Sequence, residues 1–421
     1  MTQAIVAASL PTLPPVALID RKAFADALTR VSKVVERRNT IPILSNVRLV
    51  GTGESLIIEG CDLDAWSRVT VPAAADSRFA VTVPAHMLRD VVKKAASEYV
   101  EATSGDILPI GQGENVRDTQ NVYLDFEGAK TALQAFPVAD WPLAENMDTF
   151  KSPTVASFTM ATATLRRLFQ VTQIAISTEE TRYYLNGIFF HVATVADRLM
   201  LRATATDGHR LVSATVDLPE GAEGMQPADK YKSPGVIVPR KTVALVLAEL
   251  KRKGAPETVA VEVGATWIRF TIGAAVIWSK IVDGSFPDYC RVIPQGNDKL
   301  ATVDAKAFAG MVSAVSQIAS ERGRAVKLTF EPDTGDRGLV EASVSNPDSG
   351  SASQVIECLS YTGDALQIGF NVGYMLDLIE AIGAPRLVFK FGDPGSPTLI
   401  EPAEASGDGV DVVAVLMPMR V

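Results

Sequence analysis

At 421 residues and 47% apolar side chains, the chain is too long for one core and suits two to four domains; with no apolar run near 18 residues it carries no membrane-spanning signal. The formal charge of -9 argues against a protein coated with nucleic acid, although the distribution of charge counts for more than its sum. Cys61, Cys290 and Cys358 are too few and too scattered for a disulfide framework or a C-x-x-C metal knuckle, so the cytoplasm is the expected compartment. Residues 1–15 hold three prolines and no charge, which reads as a flexible arm and not as a secretory signal.

From residue 16 onward the chain repeats itself. Residues 16–35, 155–177 and 300–320 each run from an extended stretch into an apolar-periodic helix with a Val-Ser or Val-Thr pair near its end: Val31-Ser32, Val171-Thr172 and Val315-Ser316. A second unit follows in each repeat, where residues 79–84, 236–239 and 366–372 lead into helical patterns over 85–96, 240–253 and 373–382. Pro84 and Pro239 suit a helix start, where the missing N–H has no partner to lose. Alternating runs such as 259–270, 274–282 and 386–400 supply strands, and strands outnumber helices. The expected architecture is α+β: three domains, 16–152, 153–299 and 300–421, each with two helices packed on antiparallel sheet. Residues 105–121 and 331–352 are polar, Gly-containing insertions expected to be mobile loops.

Charge is sorted by element. The six helical windows 21–38, 86–98, 161–177, 240–253, 304–320 and 371–386 carry +4, +1, +2, +4, 0 and -1, a total of +10 against -19 elsewhere. Helix dipoles favour some of the basic residues at helix ends, such as Arg37, Arg38 and 251–253. The size of the segregation implies that one layer faces an extended anion, for which duplex DNA is the obvious candidate.

Catalytic patterns are missing. There is no G-x-x-x-x-G-K-[ST] loop, no complete dinucleotide fingerprint and no H-E-x-x-H; the three histidines are His86, His191 and His209. Asp207 and His209 have no serine or cysteine in a nucleophile elbow to serve. Neither a cofactor nor a metal is expected. The stretch Ala205-Thr206-Asp207-Gly208-His209-Arg210-Leu211 reads instead as a tight hairpin turn, with a His and an Arg directly after it.

The repeat, this turn, Thr181-Arg182-Tyr183-Tyr184-Leu185-Asn186-Gly187, Phe286-Pro287-Asp288-Tyr289 and the ending Val415-Leu416-Met417-Pro418-Met419-Arg420-Val421 together resemble the bacterial β sliding clamps, the processivity subunits of DNA polymerase III. The likeness runs from about residue 16 to the end. It implies three copies of one domain, closed by a second chain head to tail into a homodimeric ring of six domains, with the helices lining a hole for duplex DNA. No catalysis of its own and no membrane are implied. The partners implied are the DNA polymerase III alpha subunit, the clamp loader, and other DNA polymerases and repair proteins that bind through a linear peptide with Gln and Leu-Phe anchors.

Carried over by position, the resemblance assigns one wall of the peptide groove to Leu185, Thr206, Gly208, His209, Arg210 and Leu211. The rest falls to Pro287, Arg291, Val292, Val415, Met417, Pro418, Met419 and Arg420. Met and Pro offer an adaptable apolar floor for such anchors. DNA contacts fall on Arg38, His86, Glu179, Tyr183 and Tyr184, with His86 replacing an arginine and Glu179 a glutamine. Partly buried packing is the alternative reading for Tyr183 and Tyr184, with DNA contact preferred. The ring joint falls near Leu133 and Ile318. Two alternatives stay open: a specialised clamp paralogue for repair, plasmid or phage replication, and a DNA-processing enzyme on a clamp scaffold.

Overall fold

The computed structural model describes residues 17–77, 79–110, 117–225, 235–318, 325–333, 337–347 and 350–420. The arm expected at residues 1–15 lies outside them. Six helices follow one rule: each begins on the residue after a strand ends. Helix α1 (Arg21–Val31) follows Ala17–Asp20, α2 (Ala85–Lys94) follows Ala80–Pro84, and α3 (Thr162–Thr172) follows Thr154–Ala161. Then α4 (Arg240–Leu250) follows Val236–Pro239, α5 (Ala305–Val315) follows Lys299–Asp304, and α6 (Val372–Ile382) follows Leu366–Asn371.

The starts have a local cause. Asp20, Asp304 and Asn371 accept hydrogen bonds from the backbone N–H of Ala23, Ala307 and Tyr374 at 2.7, 2.8 and 3.1 Å, satisfying donors that the first turn leaves orphaned. Pro84 stands at the N-cap, just before α2 begins at Ala85. The Val-Ser/Thr pairs explain the ends. Ser32 Oγ donates to Leu28 O at 2.5 Å, Thr172 Oγ1 to Leu168 O at 2.7 Å, and Ser316 Oγ to Ser313 O at 2.8 Å. A hydroxyl on a last-turn carbonyl competes with continuation of the helix.

The helices are therefore shorter than the helical windows. Lys33, Arg37 and Arg38 lie beyond α1, and residues 251–253 beyond α4. Within the observed bounds the six carry +2, +2, +2, +1, +1 and -2, or +6 in all, leaving -15 for the rest of the chain. The sorting of charge survives the shortening. Packing, not propensity, holds helices of 10 or 11 residues. On α1, Phe24 and Leu28 are fully buried, each contributing about 1.5–3 kcal/mol before ordering costs.

The chain forms two compact units. The described residues within Met1–Thr154 and Lys251–Lys280 make one, and those within Val155–Leu250 and Ile281–Val421 the other. In the first, α1 and α2 pack together, and α1 also lies on the strand Ala65–Ala75. The antiparallel order is Ala129–Ala135, Arg117–Phe126, Tyr99–Ile110, Ala17–Asp20, Ala65–Ala75, Ala275–Lys280, Trp267–Ile272, Thr258–Gly264. Ala65–Ala75 is the hub: one end pairs with Ala17–Asp20, and the other, Ala65 to Val69, with Ala275–Lys280. That pairing explains why strands from the middle of the chain fold with its beginning.

In the second unit the order is Val236–Pro239, Gly187–Val195, Arg198–Thr206, Arg210–Asp217, Asp411–Leu416, Thr398–Pro402, Arg386–Phe391, Lys299–Asp304, Ser360–Thr362. A four-stranded sheet of Gly350–Cys358, Gly338–Asn346, Ala325–Pro332 and Leu366–Asn371 completes it. Helices α3 and α4 pack as one pair and α5 and α6 as another.

Among the described residues of the two insertions, most are strand and not loop. Residues 107–110 of Tyr99–Ile110 pair with residues 117–120 of Arg117–Phe126, with a register shift between Ser104 and Ile107. Gly338–Asn346 pairs on both sides within residues 331–352. Gly350–Cys358 is an edge strand exposed along most of its length, so its composition imitates a loop while its backbone keeps a ladder.

Candidate functional site

The hairpin turn is wider than Asp-Gly alone signals. Thr206 pairs with Leu211, so four residues reverse the chain. Asp207 Oδ1 accepts from the N–H groups of His209 and Arg210 at 2.9 and 3.0 Å, and Gly208 takes a φ of 88° that disfavours a side chain. Arg210–Asp217 then pairs with Asp411–Leu416, setting Leu211 opposite Val415. Met417 N donates to His209 O at 2.9 Å and Met419 N to Gly369 O at 2.8 Å, which carries the chain end across the sheet.

These pairings bring most of the expected groove residues into one region. Leu185, Leu211 and Val415 are 5%, 1% and 1% exposed and pack with Phe189, Ile237, Phe286, Tyr289 and Leu399. They are core beneath the surface of the wall assigned to them. Thr206, Arg210, Met417 and Pro418 are half-buried, while Gly208, His209, Pro287, Arg291, Val292, Met419 and Arg420 are exposed. Arg291 Nε pairs with Asp288 Oδ2 at 2.9 Å, and Val292 is followed by Ile293, which packs on the cluster.

Tyr374, on α6, escapes the sequence reading. Its ring stacks on His209 with centroids 5.8 Å apart, and the Arg210 guanidinium lies 4.5 Å from its centre. Asp377 on the same helix holds Arg210 Nη1 at 2.8 Å, and Asp207 holds its Nε at 3.1 Å. Tyr374 breaks the apolar phase of α6, whose buried set is Val372, Met375, Leu378, Ile379 and Ile382. An aromatic out of phase on a helix was the available signal.

Beneath the site, the buried His191 stacks on Phe189, and its Nε2 lies 2.9 Å from the Tyr289 hydroxyl. Arg202 Nη1 donates to that hydroxyl at 3.2 Å. Burial holds the His191 pKa down at about 3, so the ring is neutral, and burial also raises that of Tyr289. The network pins residues 286–292 to the sheet.

Of the expected DNA contacts, Arg38, Glu179 and Tyr183 are exposed, Glu179 pairing with Arg182 at 3.2 Å. Tyr183 is 54% exposed, whereas Tyr184 packs half-buried against the cluster. His86 is half-buried, 3.1 Å from Val35 O and 3.2 Å from Arg89 Nη1, and desolvation lowers its pKa. Lys22, Lys93, Lys94, Arg166 and Arg240 are exposed helix cations. Arg167 is spent otherwise: it donates to the carbonyls of Ala381 and Ile382 and pairs with Asp408 at 3.3 Å, fastening α3 to the end of α6.

Leu133 is 3% exposed in the single chain and pairs opposite Val122. Ile318 is half-buried. Among the described residues no cluster of His, Cys, Asp or Glu could hold a metal, and no helix is long and apolar enough to cross a membrane.

Three family models match in succession: the DNA polymerase III beta subunit N-terminal domain over residues 17–145, its central domain over 159–288 and its C-terminal domain over 290–420. The beta sliding clamp of Caulobacter vibrioides is 39% identical over 411 residues, covering 96% of this chain and 99% of the relative. That of Pseudomonas aeruginosa is 34% identical over 405 residues, with the same coverage. Among solved structures, a DNA polymerase III subunit beta sliding clamp from Bartonella birtlesii, bound to griselimycin, superposes with a TM-score of 0.82 at 37% identity, covering 97% of this chain and 100% of that one. With all three domains matched in order and relatives aligned over nearly its full length, the chain belongs to the DNA polymerase III beta subunit family, the beta sliding clamps.

Proposed function

We propose that two copies of this chain close head to tail into a ring around duplex DNA and tether DNA polymerase III and other enzymes to it, without catalysis of their own. The observation that carries the reading is the charge sorting: helices at +6 within a chain of -9, with Lys22, Lys93, Lys94, Arg166 and Arg240 exposed. Phosphate attraction of this kind is sequence-independent and salt-sensitive, so it permits sliding, while a closed ring prevents escape. The chain offers no nucleotide-binding loop, so a separate ATP-driven loader opens the ring.

The groove at the hairpin turn and chain end takes partner peptides. Met417, Pro418 and Met419 supply apolar contact, and His209 and Arg210, braced on Tyr374, supply orientation. Cytoplasmic residence belongs to the same reading.

Retention on nicked circular DNA tests it. After loading, the protein stays on the circle at a salt concentration that strips electrostatic binders, and runs off once the circle is linearised. Loss from both forms at the same salt overturns the ring.

A further inference from the structure

The sheet junction under the candidate groove has a counterpart in the other compact unit. In the groove junction, Glu180–Leu185 precedes a strand, Leu211 faces Val415 across antiparallel strands, and Phe286-Pro287 with Tyr289 three residues beyond Phe286 closes the cluster. In the counterpart, Pro42–Ser45 precedes a strand, Trp66 faces Trp278, and Trp141-Pro142 is followed by Ala144 three residues beyond Trp141. Leu44 stands where Leu185 does, so five members of each cluster correspond in place.

What differs is how much of the chain past the aromatic-Pro pair lies on the cluster: past Phe286, Ile293 packs on the groove cluster. In the counterpart, Leu143, Met147 and Phe150 of the chain itself lie on the cluster, Phe150 meeting Trp66 edge-on at 5.1 Å. The segment is fastened at both ends: Trp66 Nε1 donates to Pro142 O at 2.9 Å and Trp267 Nε1 to Ser152 O at 3.1 Å. Trp141 Nε1 donates to the buried Glu59 carboxylate at 2.8 Å, which Arg68 neutralises. Beside the segment a cleft of about 540 Å³ remains, lined by Arg68, Glu145, Phe150, Trp267, Arg269 and Trp278.

We propose that this junction is a second groove of the same design, held shut by the chain's own residues 143–150, whose Leu143, Met147 and Phe150 play the part of a partner's apolar anchors. The proposal rests on the peptide-groove reading above. Tethering gives the segment an effective concentration on the order of millimolar, which a free peptide at micromolar concentration does not match. Each chain therefore presents one peptide site, and loosening the plug exposes a second.

Calorimetric titration of the full chain with a synthetic peptide bearing Gln and a Leu-Phe pair tests this, with tryptophan emission followed alongside. All four tryptophans, Trp66, Trp141, Trp267 and Trp278, belong to the plugged junction and none to the other cluster. Wild type takes one peptide per chain with emission unchanged; Phe150→Ala takes two, with an emission shift that tracks the second. Met147→Ala, which keeps the Trp66–Phe150 contact, carries the test if Phe150→Ala does not melt cooperatively. A folded variant that takes one peptide without an emission change, or a wild type that takes two, overturns the proposal. A wild type that takes none overturns the groove reading itself and this inference with it.

Discussion

The Tyr289 hydroxyl meets Nε2 of His191 at 2.9 Å inside the core beneath the candidate groove. Phe189 O, 3.2 Å from Nδ1, can only accept, so Nδ1 carries the proton of the neutral ring and Tyr289 donates to Nε2. The buried ring has a pKa of about 3, below the unfolded value near 6.5. The unfolded chain therefore takes the proton first. The contribution is fully present above about pH 6.5 and is lost as pH falls toward 3, at about 1.4 kcal/mol per pH unit. Urea melts between pH 7 and pH 4 measure the slope, and His191→Gln flattens it; an unchanged slope assigns the acid sensitivity to other groups.

Tyr374 is the shared platform of His209 and Arg210. Removing the ring leaves Arg210 with Asp207 and Asp377 alone and frees the imidazole. Tyr374→Ala weakens peptide binding by about 1 kcal/mol, or roughly fivefold, while Tyr374→Phe keeps wild-type affinity. Fluorescence anisotropy with a labelled peptide reads both. Equal affinities for all three proteins would show that the platform is not used.

Much of the fold was legible because the chain says it three times. A hydroxyl after Val31, Val171 and Val315 marks helix ends that apolar periodicity alone overran into the basic residues beyond. The turn at Asp207 was legible from its Asp-Gly pair. What stayed hidden depends on pairing across long separations. Nothing local joins Trp66 to Trp278, Arg210 to Tyr374 or His191 to Tyr289, and the burial of Leu133 is set by its pairing opposite Val122.

Cys290 is the exposed thiol, in the segment that Tyr289 anchors, whereas Cys61 and Cys358 are buried with pKa values pushed up to about 12 and about 11. A maleimide therefore modifies Cys290 alone in the folded chain. On the proposed groove reading, saturating peptide slows that reaction, because Cys290 lies between Pro287 and the Arg291-Val292 pair assigned to the groove. Mass spectrometry of timed aliquots gives the rates, and equal rates with and without peptide place the ligand elsewhere.

Leu133 reports on folding. Truncating a core leucine costs about 2–5 kcal/mol, so Leu133→Ala lowers the melting temperature at every protein concentration. Ile318, half-buried at the end of a short 3-10 turn, is the position to test for the proposed ring joint. Ile318→Asp shifts sedimentation from dimer to monomer at a given concentration while the isolated chain keeps its fold. A sedimentation profile identical to wild type removes Ile318 from the joint.

His86 has the geometry of a neutral side chain. Arg89 can only donate, so Nδ1 accepts from it and Nε2 donates to Val35 O. Desolvation is the leading cause of its lowered pKa, and the charges of Arg89 and Arg37 push the same way. At neutral pH this position adds no charge to a region that holds Arg37, Arg38 and Arg89. His86→Arg supplies one, and if the position faces phosphate, one further counterion is released on binding. The slope of log affinity against log salt for a short linear duplex then steepens by about 0.9. Salt titrations of wild type and variant at pH 7.5 measure the difference, and parallel slopes set His86 apart from the DNA.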